Sequence, residues 1–252
     1  MCDRNRDTVI FCFEVVSLRR FYLISLRKIL IGVTAAAVVL AFAFSVCVLR
    51  DARTVSVPIT ERRTLILDAG HGGEDGGAVA WDGTKESDIN LSLTLQLREL
   101  FLFCGVEPKL TRDKDISVYT EGAKTLREKK VSDIHNRVAQ IDSLPNATLI
   151  SIHQNSLPSS PKTHGAVVFY NGEGNAHELA KAVQGKLNAA HNEREKEEQE
   201  IARNIYLMQH IHCPAILVEC GFLSNAEELS HLKTQETQFR IALAVLAGYF
   251  TL

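Results

Sequence analysis

Four residues in this chain have the types needed for metal-assisted hydrolysis: three lie just past a run of apolar residues, and the fourth stands just before a helical pattern. His71 follows Leu65-Ile66-Leu67-Asp68-Ala69-Gly70 and precedes Gly72-Gly73, His153 ends Leu149-Ile150-Ser151-Ile152, and Glu219 ends Ala215-Ile216-Leu217-Val218. Glu86 stands just before a helical pattern, where a carboxylate also meets the positive end of the helix dipole. Two imidazoles and one carboxylate around an open fourth position form a known catalytic zinc set, with water as the remaining ligand. Zinc lowers the pKa of that water to about 7 and polarises a carbonyl, so a second, unligated glutamate has a use as general base and then general acid. Taken singly, each residue has a plainer reading: a loop or strand-end histidine, an acid at a helix start, half of an ion pair. Their shared placement at the ends of expected strands and the start of a helix is what argues for chemistry.

That placement requires elements that deliver all four side chains to one edge. Beyond a polar linker the chain alternates strand-like and helix-like segments, the rhythm of an α/β domain. Strands are expected at Thr64 to Asp68, Val106 to Leu110, Ala147 to Ile152, Gly165 to Tyr170, Asn204 to Met208 and Ala215 to Glu219. Pro108 suits an edge strand. A helix from Ser87 to Phe103 carries Ile89, Leu93, Leu97 and Leu100 at spacings that make one buried stripe. Val131, Ile134, Val138 and Ile141 mark a second helix. Leu179, Val183 and Leu187 mark a third, running into the charged stretch Glu193 to Glu200 as a solvated helix end, and Gln235 to Phe250 closes the domain. Six strands and about five helices fit a three-layer α/β/α sandwich on a largely parallel sheet. In such open sheets ligands gather at the carboxyl ends of the strands.

The 252 residues, 46% hydrophobic and 23% charged, allow one substantial domain plus an appendage. A net charge of −2 argues against nucleic acid as the main partner, because phosphate binding needs a clustered excess of Lys and Arg. Ile29 to Leu49 holds no charged residue over 21 positions and as a helix reaches about 31 Å, close to the bilayer's hydrocarbon thickness. The expected organisation is a cytoplasmic segment at residues 1–28, an uncleaved single-pass anchor at 29–49, a linker at 50–63 and a catalytic domain at 64–252 outside the cell membrane. The six cysteines form no C-x-x-C pair; Cys104, Cys213 and Cys220 read as core residues. Asn155 and Arg112, just past strand ends, are candidates either for substrate contacts or for local salt bridges and turn hydrogen bonds. Most of histidines 135, 164, 177, 191, 210, 212 and 231 read as surface residues.

The segments Leu67-Asp68-Ala69-Gly70-His71-Gly72-Gly73, Lys85-Glu86-Ser87-Asp88-Ile89-Asn90-Leu91, Ser151-Ile152-His153-Gln154-Asn155 and Leu217-Val218-Glu219-Cys220-Gly221-Phe222-Leu223-Ser224-Asn225 resemble, in order, the motifs of the zinc-dependent N-acetylmuramoyl-L-alanine amidases of bacterial cell walls. The resemblance covers about Thr64 to Leu252. It implies one Zn2+ held by His71, Glu86 and His153, with Glu219 catalytic, and peptidoglycan as substrate. Ala69 replaces a proline common in the family, which would loosen the loop, and Gln154 replaces a smaller residue, which would alter the glycan groove. Tyr119-Thr120-Glu121-Gly122-Ala123-Lys124, Asn204-Ile205-Tyr206-Leu207-Met208-Gln209 and the anchor are similar to the germination-specific amidases of spore formers. That similarity implies action on spore cortex, where removing the stem peptide prepares muramic acid for conversion to muramic-δ-lactam. Two competing readings are a membrane-tethered peptidoglycan binder without hydrolysis and a zinc peptidase cutting within the stem peptide.

Overall fold

The computed structural model describes residues 63–202 and 205–252. The expected cytoplasmic segment, the anchor and nearly all of the linker lie outside the described residues. Among the described residues no helix is long and apolar enough to cross a membrane.

The elements are β1 (Thr64–Ala69), α1 (Glu86–Phe103), β2 (Lys109–Leu110), α2 (Leu126–Asp142), β3 (Ala147–Asn155), β4 (Val167–Tyr170), α3 (Ala176–Ala190), β5 (Gln199–Glu200), α4 (Tyr206–His210), β6 (Ala215–Phe222), α5 (Ala226–Leu232) and α6 (Gln235–Tyr249). The six strands form one sheet in the order β2-β1-β3-β6-β4-β5. Strands β2, β1, β3 and β6 are mutually parallel, and β4 runs antiparallel to β6. Helices cover both faces, which is why the central strands read as continuous apolar runs.

Alternation along each strand sends its residues to two separate cores. Leu65 and Leu67, Ile150 and Ile152, and Ile216 and Val218 face one core, filled from above by Leu93 and Leu97 of α1, Val183 of α3 and Val245 of α6. Ile66, Leu149 and Leu217 face the other, where Ile141 of α2 and Leu207 and Met208 of α4 pack. On α1 the stripe ends on Phe101, fully buried, while Leu100 is only partly covered. From β1 the chain passes to β2 on one side and then, through α2 on the opposite face, to β3 on the other side. The sheet therefore has a switch point between the carboxyl ends of β1 and β3, the place where a doubly wound sheet opens a crevice.

Several expectations are corrected. The second strand shrinks to Lys109–Leu110, because Pro108 has no N–H to give the ladder. Helix α3 stops at Ala190, and the charged stretch after it is not helical. Asn188 Oδ1 accepts from the Lys196 N–H at 3.2 Å, Lys196 Nζ turns inward to the Gly165 carbonyl at 2.7 Å, and Gln199–Glu200 then joins the sheet edge. The segment expected as a strand at Asn204 to Met208 is, over its described part, the start of helix α4. A four-residue apolar run does not distinguish the two by periodicity. Helix α5 was not expected; the Asn225 side chain caps it, accepting from Glu227 and Glu228 N–H groups. Cys104 is exposed at the end of α1 rather than buried, whereas Cys213 and Cys220 are in the core.

Candidate metal centre

The loop after β1 is shaped by its glycines and by two arginines. A Cβ on Gly70 would overlap the His153 ring, and one on Gly77 would lie 2.5 Å from Glu86 Oε2 and 2.7 Å from His71 Cδ2. Only glycine lets the backbone pass so close to the three side chains. His71 itself is left-handed, with φ 61°. Arg137 from α2, 2% exposed, holds this geometry by donating to the Ala69 carbonyl at 2.8 Å and the His71 carbonyl at 2.7 Å. Arg112 donates to the Ala69 carbonyl at 2.9 Å and the Gly70 carbonyl at 3.1 Å. Ala69 therefore does not leave the loop loose: its carbonyl is gripped from two sides.

His71 Nδ1 meets Asp75 Oδ2 at 2.9 Å, while Asp75 Oδ1 accepts from Gly77 N–H at 3.1 Å and pairs with Lys130 at 2.7 Å. That leaves Nε2 turned towards Glu86 Oε1, 3.4 Å away. Glu86 opens α1, 4% exposed. Its Oε2 accepts from Ala78 N–H at 2.9 Å, and its Oε1 accepts from Gln154 N–H at 3.2 Å and contacts His153 Nδ1 at 2.9 Å. His153 arrives from β3, its ring edge-on to that of His71 with centroids 5.1 Å apart. Each of the three residues offers a ligand atom within 4.8 Å of the others. Glu219 sits across the β3–β6 ladder in register with His153, and the same cleft of about 450 Å³ is lined by His71, Glu86, His153 and Glu219.

The electrostatics favour positive charge between these side chains. Burial opposes charge on Glu86 and Asp75, but hydrogen bonds from the histidines outweigh it and hold both carboxyls well below the usual range. Burial likewise works against a charged His71, yet Asp75 and Glu86 push it up to about 9. Burial pushes Glu219 up to about 7; His153 draws it down and Glu86 adds to the rise. Its Oε2 is buried and has no hydrogen-bond partner among the described residues. Two imidazoles and an ionised carboxylate beside this orphaned glutamate oxygen fit a zinc site with one side open.

Several supporting residues were not anticipated from sequence. Asp68, 1% exposed, accepts from Arg137 at 2.5 Å, Thr111 at 2.6 Å and Ser151 at 2.6 Å, and Arg137 also reaches Asp133 at 2.7 Å. An aspartate inside an apolar strand was the available signal, since a buried charge needs a partner. Arg112 proves to be buried and bonded to backbone carbonyls, one of them that of Ser87 at 2.9 Å, which is the local role expected for it as the alternative to substrate contact. Asn155 does line the cleft. Gln154 lines the cleft, and it also supports Glu86, donating to it from its backbone and to Asn90 Oδ1 from Nε2. His191 is not a surface residue: its ring is buried and Nε2 bonds the Cys220 carbonyl at 3.0 Å.

Residues 65–249 match the family model of N-acetylmuramoyl-L-alanine amidases. The chain is 35% identical over 202 residues to the germination-specific N-acetylmuramoyl-L-alanine amidase of Bacillus subtilis, covering 78% of this chain and 83% of that one. The structure of the CwlD amidase of Clostridioides difficile, solved with the GerS lipoprotein, superposes with a TM-score of 0.70 at 39% identity over 75% of this chain and 98% of that one. An N-acetylmuramoyl-L-alanine amidase of Nostoc punctiforme matches with a TM-score of 0.63 at 27% identity, over 75% and 96% of the two chains. The sheet, the shared cleft edge and these likenesses together place the chain in the N-acetylmuramoyl-L-alanine amidase family.

Proposed function

We propose that the protein is a zinc-dependent hydrolase of the amide joining the lactyl group of N-acetylmuramic acid to the L-alanine of the stem peptide. His71, Glu86 and His153 hold the ion. When bound, zinc supplies Lewis acidity at the lactyl carbonyl and an acidified water. Asp75 fixes the His71 ring so that Nε2 faces the site, and the Ala78, Gln154 and Asn90 donors fix Glu86. Glu219 takes the proton of the attacking water and delivers it to the departing alanine nitrogen. The observation that carries this assignment is the buried, unpartnered Oε2 of Glu219 in the cleft that the three donors share.

Spore cortex is the substrate this reading favours, supported by the likeness to the germination-specific amidase of Bacillus subtilis. The uncharged span Ile29 to Leu49 supports a single-pass anchor with the catalytic domain on the extracytoplasmic side. A lipoprotein partner belongs to the same reading, since the Clostridioides difficile relative was solved with one. Mass spectrometry of vegetative wall and spore cortex digested with zinc-loaded protein tests the bond: free lactyl groups and peptides with an amino-terminal L-alanine are expected. Fragments cut inside the stem peptide, or intact muropeptides, would refute the assignment.

A further inference from the structure

The chain has one tryptophan, and it is 78% exposed. That is unusual for a side chain with so much apolar surface to bury. Its backbone is firmly held. Residues 78–86 form a hairpin in which Glu86 N–H donates to the Ala78 carbonyl at 2.8 Å and Ala80 N–H donates to the Thr84 carbonyl at 2.9 Å. Val79 pairs with Lys85 between them. Gly83 N–H closes the turn on the Ala80 carbonyl at 3.0 Å, and its φ of 86° suits the left-handed position of a three-residue hairpin loop. Asp82 ties the tip down, accepting from Thr84 N–H at 3.0 Å and from Lys233 Nζ at 2.7 Å.

Alternation along the first arm decides the faces. Ala80 is buried in the core below α1 and Ala78 packs against the same cluster, whereas Val79, 61% exposed, and Trp81 face outward. Lys85, cross-strand from Val79, is also exposed. The hairpin thus presents a small, rigid apolar strip with an ammonium beside it. Its base is Glu86, and its tip lies three residues further on, roughly 10 Å along the arm.

We infer that Val79 and Trp81 form a sugar-stacking subsite that holds the glycan strand beside the muramic acid whose amide is cut. The inference rests on the amidase reading for its substrate. A cleft of about 450 Å³ has room for the reacting unit but not for a polymer, so the strand must run over the neighbouring surface. The C–H face of a pyranose ring is apolar and of a size to lie on an indole, with its hydroxyls left at the rim for water or Lys85. A hairpin backbone already ordered loses little freedom on binding, which favours this role. Two side chains are too small a patch for a stable protein interface, which needs about 800 Å² per partner.

Because Trp81 is the chain's single tryptophan, its emission reports the subsite directly. Titration with β-1,4-linked N-acetylglucosamine oligomers, which contain no lactyl amide, is expected to give a saturable emission change that grows from monomer to tetramer. In Trp81→Ala the ratio of kcat/KM on polymeric peptidoglycan to that on a soluble muramyl peptide is expected to fall about ten-fold, with Trp81→Phe restoring most of it. An unchanged ratio, or emission that responds to anionic phospholipid vesicles and not to the oligomers, overturns the subsite. Emission that responds to oligomers in a protein unable to cut lactyl-alanine amides upholds the subsite and refutes the amidase reading instead.

Discussion

At the residue scale, the centre depends on groups whose ionisation is set by near neighbours. Burial disfavours the Glu219 charge and pushes its carboxyl in the folded, metal-free protein up from 4.5 to about 7. The unfolded chain therefore releases that proton first, and stability falls as the pH rises from 4.5 through 7. Metal-free Glu219→Gln lacks this loss. Its denaturation midpoint is expected to exceed that of the native sequence above pH 7, with the gap closing below pH 4.5; a gap independent of pH would contradict the assignment. His71, His153 and Glu219 were legible in the sequence because each follows an apolar run, and Glu86 because it stands just before a helical pattern. Asp68 and Arg137 were not read as a pair, since 69 residues separate them and nothing local joins them.

At the scale of elements, each side chain depends on the backbone that delivers it. Gly70 is the tightest point, with the His153 ring where a methyl group would go. Gly70→Ala is expected to displace that ring, destabilise the fold by about 1–3 kcal/mol and weaken zinc binding, measurable by denaturation and by competition with a chelator. Strands β1, β3 and β6 and helices α1, α2 and α6 were legible from periodicity, because long apolar stripes leave one reading. The irregular stretch after Ala190 and the helix at Tyr206–His210 were not. Their conformation follows from tertiary partners, an inward Lys196 in one case and a small core under α2 in the other.

At the scale of the whole molecule, the two faces of the sheet meet their helices at one switch point, and a buried ion pair locks it. Arg137 of α2 joins Asp68 of β1 and carries the His71 carbonyl with it. Burial opposes the Asp68 charge, but Arg137, Ser151 and Thr111 prevail and hold it at about 2, so its stabilisation is complete above 3.8 and is lost as the pH falls towards 2. Arg137→Ala leaves that carboxylate alone and is expected to cost about 3–5 kcal/mol, with zinc affinity falling in parallel. Zinc at a hundredfold excess over its Kd should add about 2.7 kcal/mol to the native protein, and chelation should remove both that stability and turnover. Metal content and amide turnover measured in the same preparation of Glu219→Gln separate metal ligation from proton transfer. One zinc per chain is expected, with turnover reduced roughly 10²–10⁴-fold. Near-normal turnover by the zinc-loaded variant would contradict the role of Glu219.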